Sequence, residues 1–331
     1  DNGLYRYDGS EFTLFSLDGD EDATKYSINC IYLTSDEKLY VGTDNYGLYM
    51  YDNGTFQRVS EMYNLGVSTI NAMYEDDNKN LWIAASSGIF RLSSDGAEAL
   101  ADDVVSGLSV GNISGHGDYV YAIANNDILI TVDPERHVSI TNKSEYRVDD
   151  INSLYVDENG NRYYGSAGYS ILKIGTDGKN EIINTGNLHG INKIYSDGDN
   201  IWALADDGVG YITSKGNVTA IGGLSFNESM SDMIIDFEGN YWFTSYRKGI
   251  LQLERSKFQN VTMKYGIDSS IVNCVTSYNG NTFIGTDEGL YIVDSNGKLV
   301  MSADNELVSK LSGISIRDLY VDSDDHLWIA T

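Results

Sequence analysis

A polar position recurs through the chain at intervals of about 40 residues, each time just before an apolar strand-like segment. Its members are Asn29, Asn71, Gly111, Asn152, Asn192, Ser231, Asn273 and Arg317. The position after it is charged in Lys193 and Asp232, and nearby polar loops carry Tyr46, Tyr246 and Arg247. Amide groups combined with aromatic faces are suited to binding a sugar or a peptide.

We therefore predict one ligand-binding face, and the residues proposed for it are Asn29, Asn71, Asn152, Asn192, Asn273, Lys193, Asp232, Arg317, Tyr46, Tyr246 and Arg247. The structural alternative is that the repeated Asn side chains cap strands through local hydrogen bonds. Because the Asn residues recur in most repeats, this alternative is favoured for them. The members that break the repeat, Lys193, Asp232, Tyr246 and Arg317, carry more functional information.

Other motifs in the chain give little support to catalysis. Residues 107–111 read Gly-Leu-Ser-Val-Gly, but a nucleophilic serine needs a strand–turn–helix context that the surrounding loop does not provide. The four histidines, His116, His137, His189 and His326, have no metal-ligand spacing. Acidic turns such as residues 157–161 do not match a calcium-binding loop, so turn chemistry is the preferred interpretation. We predict no catalytic residue, no metal site and no cofactor.

The recurring polar position belongs to a longer repeat. An apolar pentad built around an aromatic residue occurs eight times, with successive copies 39 to 45 residues apart. Its copies are LYVGT (39–43), LWIAA (81–85), VYAIA (120–124), RYYGS (162–166), IWALA (201–205), YWFTS (241–245), TFIGT (282–286) and LWIAT (327–331). A period near 40 with four short strands is typical of propeller blades.

Each pentad is preceded by a strand phrase such as INSLYVD (151–157), with a Gly- and Asn-rich turn between the two. Most pentads are followed by a phrase like GLYMYD (47–52). The chain begins with that third-strand phrase, GLYRYD (3–8), and ends on a second-strand pentad, so strands from both termini are expected to share one blade. We predict an all-β propeller of four-stranded blades, eight by repeat count and seven as the alternative, forming a single domain over residues 1–331.

The amino-acid composition limits the kinds of partner that the chain can bind. The formal net charge of −27 disfavours nucleic acid and anionic membranes, since binding to polyanions requires a basic surface. Cys30 and Cys274 occupy the same repeat position, which predicts two buried thiols rather than a disulfide. No segment approaches the roughly 20 apolar residues of a membrane span, so we expect no direct membrane insertion of this segment. The chain is expected to be a segment of a longer protein.

Residues 70–92 (INAMYEDDNKNLWIAASSGIFRL) and 316–331 (IRDLYVDSDDHLWIAT) closely resemble the two-component regulator propeller repeat. Propellers of that family form extracytoplasmic sensor parts of bacterial membrane receptors, often have seven blades, and are often linked to sensing glycan fragments. The resemblance implies a non-catalytic sensor that binds an oligosaccharide or other small ligand and contacts adjacent domains of the same receptor. A homodimer is a further expectation. The alternatives are a rigid protein-interaction scaffold and, with less support, a propeller glycoside hydrolase or lyase.

Overall fold

A computed structural model describes residues 3–8, 10–19, 22–100, 104–213, 216–222, 228–253, 261–267 and 271–331. The chain comprises two compact units, Asp1–Glu254 and Arg255–Thr331. Both are built from small antiparallel sheets in which consecutive strands pair side by side. The all-β propeller fold predicted from the repeat is confirmed, whereas the number of eight blades and the closure through a shared blade stay predictions.

The first unit begins with a two-stranded sheet and continues with five four-stranded blades and a sixth with three described strands. The first sheet consists of β1 (Leu4–Tyr7) and β2 (Phe12–Phe15). Blade 1 consists of β3 (Ser27–Leu33), β4 (Leu39–Asp44), β5 (Leu48–Asp52) and β6 (Thr55–Arg58). Blade 2 consists of β7 (Ile70–Glu75), β8 (Leu81–Ala85), β9 (Gly88–Ser93) and β10 (Gly96–Ala99). Blade 3 consists of β11 (Val110–His116), β12 (Tyr119–Ala124), β13 (Ile128–Val132) and β14 (Val138–Asn142).

The remaining blades of this unit follow the same order. Blade 4 consists of β15 (Ile151–Val156), β16 (Arg162–Ser166), β17 (Ser170–Ile174) and β18 (Asn180–Asn184). Blade 5 consists of β19 (Ile191–Ser196), β20 (Ile201–Ala205), β21 (Gly208–Ile212) and β22 (Val218–Ala220). Blade 6 consists of β23 (Met230–Ile235), β24 (Tyr241–Ser245) and β25 (Gly249–Leu253).

The described part of the second unit contains two sheets. Blade 7 consists of β26 (Val272–Tyr278), β27 (Asn281–Thr286) and β28 (Gly289–Val293). A two-stranded sheet follows with β29 (Asp318–Val321) and β30 (Leu327–Ala330). The helical segments among the described residues are short: α1 (Val59–Met62), α2 (Val261–Tyr265) and α3 (Glu306–Lys310), with single 3-10 turns at Ala23–Lys25, Lys143–Glu145 and Ser302–Asp304.

No helix among the described residues combines the length and the apolar character that a membrane crossing requires.

The aromatic pentads are the second strands of the blades, and they form the core. In β8 every residue from Leu81 to Ala85 is buried. Such a strand is covered on both faces by neighbouring blades, which explains why its sequence is nearly continuously apolar rather than alternating. Buried residues on the facing sides of blades 1 and 2 accordingly form one cluster that includes Leu48, Ile70 and Ile83.

Small residues at the fourth pentad position let neighbouring blades approach closely. A Cβ added to Gly165 of β16 would lie 2.3 Å from the Ser153 Oγ and 2.7 Å from a methyl group of Ile191 in blade 5. Gly42 is in the same situation, with the Cys30 Sγ at 2.6 Å and Ile70 at 2.7 Å. Cys30 is thus an interblade packing residue, and burial raises the pKa of its thiol to about 12.

The cysteine prediction is confirmed in part. Both thiols are free and occupy equivalent strand positions, but each residue is half-buried rather than fully buried. Burial also raises the pKa of Cys274.

Candidate ligand-binding face at the bulged strand ends

Each blade has two ends that differ in structure. At one end, a β-bulge interrupts the pairing of the first two strands; we call it the bulged end. The irregularity lies between Ile70 and Ala72 in blade 2, between Ile151 and Ser153 in blade 4, and between Ile191 and Lys193 in blade 5. The other end, where a tight turn joins the first two strands, is called the hairpin end.

The repeated polar position is the unpaired residue of this bulge. Asn29, Asn71, Gly111, Asn152, Asn192, Ser231 and Asn273 occupy it in blades 1 to 7. A bulge releases one residue from the regular ladder and redirects its side chain. The recurring polar position predicted from the sequence is therefore produced by a β-bulge of the backbone, which the sequence did not reveal.

Most of the bulge asparagines have a structural role between blades. The side-chain amide of Asn71 donates to the Val110 carbonyl of blade 3 at 2.7 Å, and the amide of Asn29 donates to the Ile70 carbonyl of blade 2 at 3.1 Å. Within the second unit, the Asn273 amide donates to the Ile316 carbonyl at 3.0 Å. The structural interpretation is supported, but the bonds join successive repeats instead of capping a strand locally.

Asn152 differs from the other bulge asparagines. In blade 4 the interblade bond is made by Ser153, whose hydroxyl donates to the Ile191 carbonyl at 3.0 Å. The Asn152 side chain accepts a bond of 3.4 Å from the amide of Asn126. Among the residues that the structure describes, it has no acceptor for its own amide nitrogen. This amide is therefore available to a ligand.

Two of the non-repeating residues singled out from the sequence meet across blades 5 and 6. The Lys193 ammonium lies 3.4 Å from the Asp232 carboxylate, and both side chains are about half exposed. Next to them, the Asn192 amide donates both to the Met230 carbonyl at 3.1 Å and to the Asp206 carboxylate at 2.8 Å. An exposed ion pair of this kind contributes little to stability. Because both side chains are about half exposed, their charged groups are accessible to a ligand.

An aromatic pair adjoins these groups from blade 4. The ring of Tyr169, which is 53% exposed, meets the His189 ring edge-on with centroids 4.9 Å apart. The backbone N–H of His189 donates to the Asp207 carboxylate at 2.8 Å. We define the Tyr169 cluster as Tyr169, His189, Asn192, Lys193, Asp206, Asp207 and Asp232.

The Tyr169 cluster combines an exposed ring with carboxylates, an amide and an ammonium group. Carboxylates and amides can bond pairs of hydroxyl groups, and an exposed aromatic ring can pack against the apolar face of a sugar. Tyr169, His189, Asp206 and Asp207 were not among the binding residues predicted from the sequence. The signal for Asp206 was present, because an acidic residue also follows the pentads ending at Thr43 and Thr286.

The second unit contains a smaller group of the same type. The Asp287 carboxylate accepts bonds from the Asn273 amide at 2.8 Å and from the Ser315 hydroxyl at 3.1 Å. These bonds, with a smaller contribution from the positive charge of Arg317, lower the pKa of Asp287. Arg317, predicted from the sequence, is exposed beside this carboxylate.

The remaining predicted residues have different surroundings. Tyr46 is half-buried, and its ring packs against Tyr26 at 4.9 Å between centroids with the Lys25 ammonium over both rings. Tyr246 is 81% exposed on the loop after β24, and Arg247 beside it is also exposed. Tyr46 therefore offers little surface to a ligand, whereas Tyr246 offers nearly its whole ring.

The comparisons with known proteins agree with this architecture. Residues 64–87 and 310–331 match the model of the two component regulator propeller family. The chain contains two-component regulator propeller repeats. Each matched segment covers a first strand, its hairpin turn and the following pentad, as in β7–β8 and β29–β30. No curated protein sequence matches the chain.

Solved structures resemble this repeat protein in fold. The extracellular domain of a putative hybrid two component system from B. thetaiotaomicron matches with a TM-score of 0.60 and 20% identity, over 100% of this chain and 47% of that one. The chain therefore spans about half the length of that extracellular domain. Virginiamycin B lyase from Staphylococcus aureus matches with a TM-score of 0.56 and 14% identity, over 73% of this chain and 84% of the lyase. At these identities, both similarities concern the fold.

Proposed function

We propose that the chain is an extracytoplasmic sensor domain of a bacterial signalling receptor, and that it binds an oligosaccharide through the Tyr169 cluster. The observation that carries this proposal is the series of contacts that joins the exposed Tyr169–His189 pair to the Asp206 and Asp207 carboxylates and the Asn192 amide, next to which the Lys193–Asp232 ion pair lies in the sequence of blades. The family repeats and the likeness to an extracellular domain of a hybrid two component system support the sensor assignment.

The proposed domain acts by binding and not by catalysis. A ligand that spans blades 4 to 6 makes more contacts in one arrangement of the receptor than in another, and it therefore binds that arrangement more tightly. The difference in affinity shifts the equilibrium between the two arrangements. Adjacent receptor domains, or a second copy of the chain, would receive the shift. The likeness to virginiamycin B lyase extends to the fold alone, so it adds no support for a hydrolase or lyase.

A protein-interaction scaffold is the second candidate. Blade 6 exposes large apolar side chains, with Ile234, Phe237 and Ile250 exposed by 59%, 98% and 68%. Apolar residues exposed in this way are typical of surfaces that contact another protein. The scaffold needs no small ligand, which separates it from the sensor experimentally.

The experiment that tests the proposal is calorimetric titration of the chain with neutral oligosaccharides of defined linkage. A binding sugar at a hundred times its dissociation constant should also add about 2.7 kcal/mol to the free energy of unfolding. Tyr169→Ala should weaken binding about tenfold, the upper range of one aromatic contact. Lys193→Gln should weaken it as well, because it removes a charged donor.

Tyr119→Ala is the matched control. Tyr119 is 44% exposed but lies at the hairpin end of β12, so its loss should leave binding unchanged. Equal losses in Tyr119→Ala and Tyr169→Ala would contradict the assignment of the site. The absence of binding to any oligosaccharide would favour the scaffold.

A further inference from the structure

A groove separates blades 1 and 2 at their hairpin ends. Its volume is about 530 Å³, within the range of small-molecule sites. Blade 1 contributes Tyr40 and Met50 to its walls, and blade 2 contributes Leu81 and Leu92. Tyr63, which directly follows α1, also lines it and is 40% exposed. The groove therefore combines an apolar lining with accessible aromatic surface.

The acidic groups of the groove are already occupied by protein donors. The Glu75 carboxylate accepts bonds from the backbone N–H of Ser35 at 2.7 Å and from the Ser35 hydroxyl at 3.2 Å. The Asp36 carboxylate accepts from the Thr34 hydroxyl at 2.6 Å and pairs with the Lys38 ammonium at 2.8 Å. The Asp36 charge is thus paired within the protein, and each carboxylate has used about half of its lone-pair sites.

Three donors of the groove are, in contrast, uncommitted. The Lys79 ammonium and the hydroxyls of Tyr40 and Tyr63 have no hydrogen bond or ion pair with any residue that the structure describes. Lys79 has a positive φ of 63° in the turn between β7 and β8 and is exposed at the mouth of the groove. These three free donors select a ligand that carries acceptors, and the ammonium selects an anionic one.

A second groove of the same volume provides an internal comparison. It lies between blades 4 and 5, also at the hairpin end, and measures about 530 Å³. Asn200 and Ile201 of its lining correspond to Asn80 and Leu81, but the residue before Asn200 is Asp199, where the first groove has Lys79. Its Lys173 is held over the Tyr163 ring at 5.5 Å. The repeat architecture thus produces the groove without a lysine at this turn position, so Lys79 is not a requirement of the fold.

We propose that the groove between blades 1 and 2 is a second binding site, and that its ligand is a carboxylate carried by a ring with an apolar face. The carboxylate pairs with the Lys79 ammonium, and the apolar face packs on Tyr63. A uronic acid sugar and an aromatic carboxylate share this chemistry. The Tyr169 cluster lies at the opposite, bulged ends of the strands, so this site does not depend on the proposed function.

The test compares acids with their neutral counterparts in titrations of the whole chain. Trigalacturonate is paired with galactotriose, and cinnamate with cinnamyl alcohol, which separates the sugar from the aromatic source. At least one acid should bind about tenfold or more tightly than its neutral partner, the effect expected of a charge-assisted hydrogen bond. Lys79→Gln should abolish that preference, and Tyr63→Leu should weaken binding of the acid.

Lys179→Gln is the matched control, since Lys179 is a strongly exposed turn lysine outside both grooves and should leave the affinity unchanged. An independent readout is reductive methylation followed by mass spectrometry. The bound acid should slow methylation of Lys79 and not of Lys179. Equal affinity for acid and neutral partner, unchanged affinity in Lys79→Gln, or loss of binding in Tyr169→Ala instead, would each overturn the proposed site.

Discussion

At the scale of single residues, the tryptophans show how one side chain organises a turn. Each of the four tryptophans donates its indole N–H to an aspartate of the preceding hairpin turn; the pairs are Trp82 with Asp76, Trp202 with Asp197, Trp242 with Asp236, and Trp328 with Asp322. The same aspartates accept backbone N–H groups of their own turns, as Asp236 does from Glu238 and Asn240. In these turns the aspartate oxygens accept protein donors, as turn chemistry requires; the absence of a calcium site stays a prediction.

The first prediction concerns the charge state of Asp236. The bond from the Trp242 indole, followed by bonds from its own turn, lowers the pKa of Asp236 from 3.8 to about 2. A carboxyl with a lowered folded pKa stabilises the fold above its unfolded pKa near 4, and this stabilisation is lost as the pH falls toward 2. In Trp242→Phe, the pKa of Asp236 should move back toward its ordinary value, measured by carbon-13 NMR titration of the side-chain carboxyl.

Trp328→Phe is the control for that experiment. It removes the corresponding indole from Asp322, whose pKa is also lowered mainly by this bond, and should leave Asp236 unchanged. If the pKa of Asp236 stayed near 2 in Trp242→Phe, the backbone donors of the turn would be the dominant cause instead.

At the scale of elements, the bulge at the start of the first strand of each blade determines which side chains bond to the next blade and which remain available to a ligand. Asn71 and Asn152 are both asparagines at the bulge in the first strand of their blades, yet only Asn71 donates to a carbonyl of the next blade. The difference arises because Ser153 makes the interblade bond in blade 4, where blade 2 has Ala72. The function of one position thus depends on the identity of the residue after it.

The second prediction follows from this contrast. Asn71→Ala should lower the free energy of unfolding by about 1 kcal/mol or somewhat more, because it leaves the Val110 carbonyl without its side-chain donor. Asn152→Ala should change stability much less, since its amide makes no such bond. Urea unfolding of the two variants, followed by circular dichroism, measures the difference; similar losses for both would show that the interblade bond is not the source.

At the scale of the whole molecule, the question is whether the repeats act as one domain. The described residues form two compact units. In the first, β1 pairs with β2, and in the second, β29 pairs with β30 and leaves Tyr320 and Trp328 exposed by 64% and 63%. A single domain closed by a blade shared between the termini is the prediction from the sequence, and it can be tested directly.

The third prediction is that removal of residues 1–16 affects strands far away in the sequence. If the terminal strands share a blade, the deletion removes half of that blade and exposes an unpaired edge. Amide hydrogen exchange over residues 318–330, measured by mass spectrometry, should then become faster. Exchange in the middle of the chain, over residues 120–132, serves as the internal reference.

Unchanged exchange over residues 318–330 in the shortened chain would contradict closure through a shared blade. It would also remove the main argument for eight blades, because that count joins the two terminal pieces into one. The seven-bladed alternative and a terminal piece belonging to a neighbouring domain would then account better for the repeats.

The sequence by itself determined the repeat, the order of strands and the positions of the turns. These follow from local patterns: the apolar pentads mark strands buried on both faces, and Gly and Asn mark the turns between them. It also brought out Lys193 and Asp232 as exceptions to the repeat, and the structure places them 3.4 Å apart. Once the repeat period is known, residues at equivalent positions of adjacent blades can be predicted to lie close together.

Only the tertiary structure decided which polar groups are already bonded and which are free. The five bulge asparagines look alike in the sequence, but four of them donate to a carbonyl about 40 residues away in the next repeat, and Asn152 does not. The Tyr169 cluster and the groove beside Lys79 likewise depend on loops and turns from successive blades. Hydrogen-bond satisfaction is a property of the folded surroundings of a group, so residue type and spacing cannot determine it.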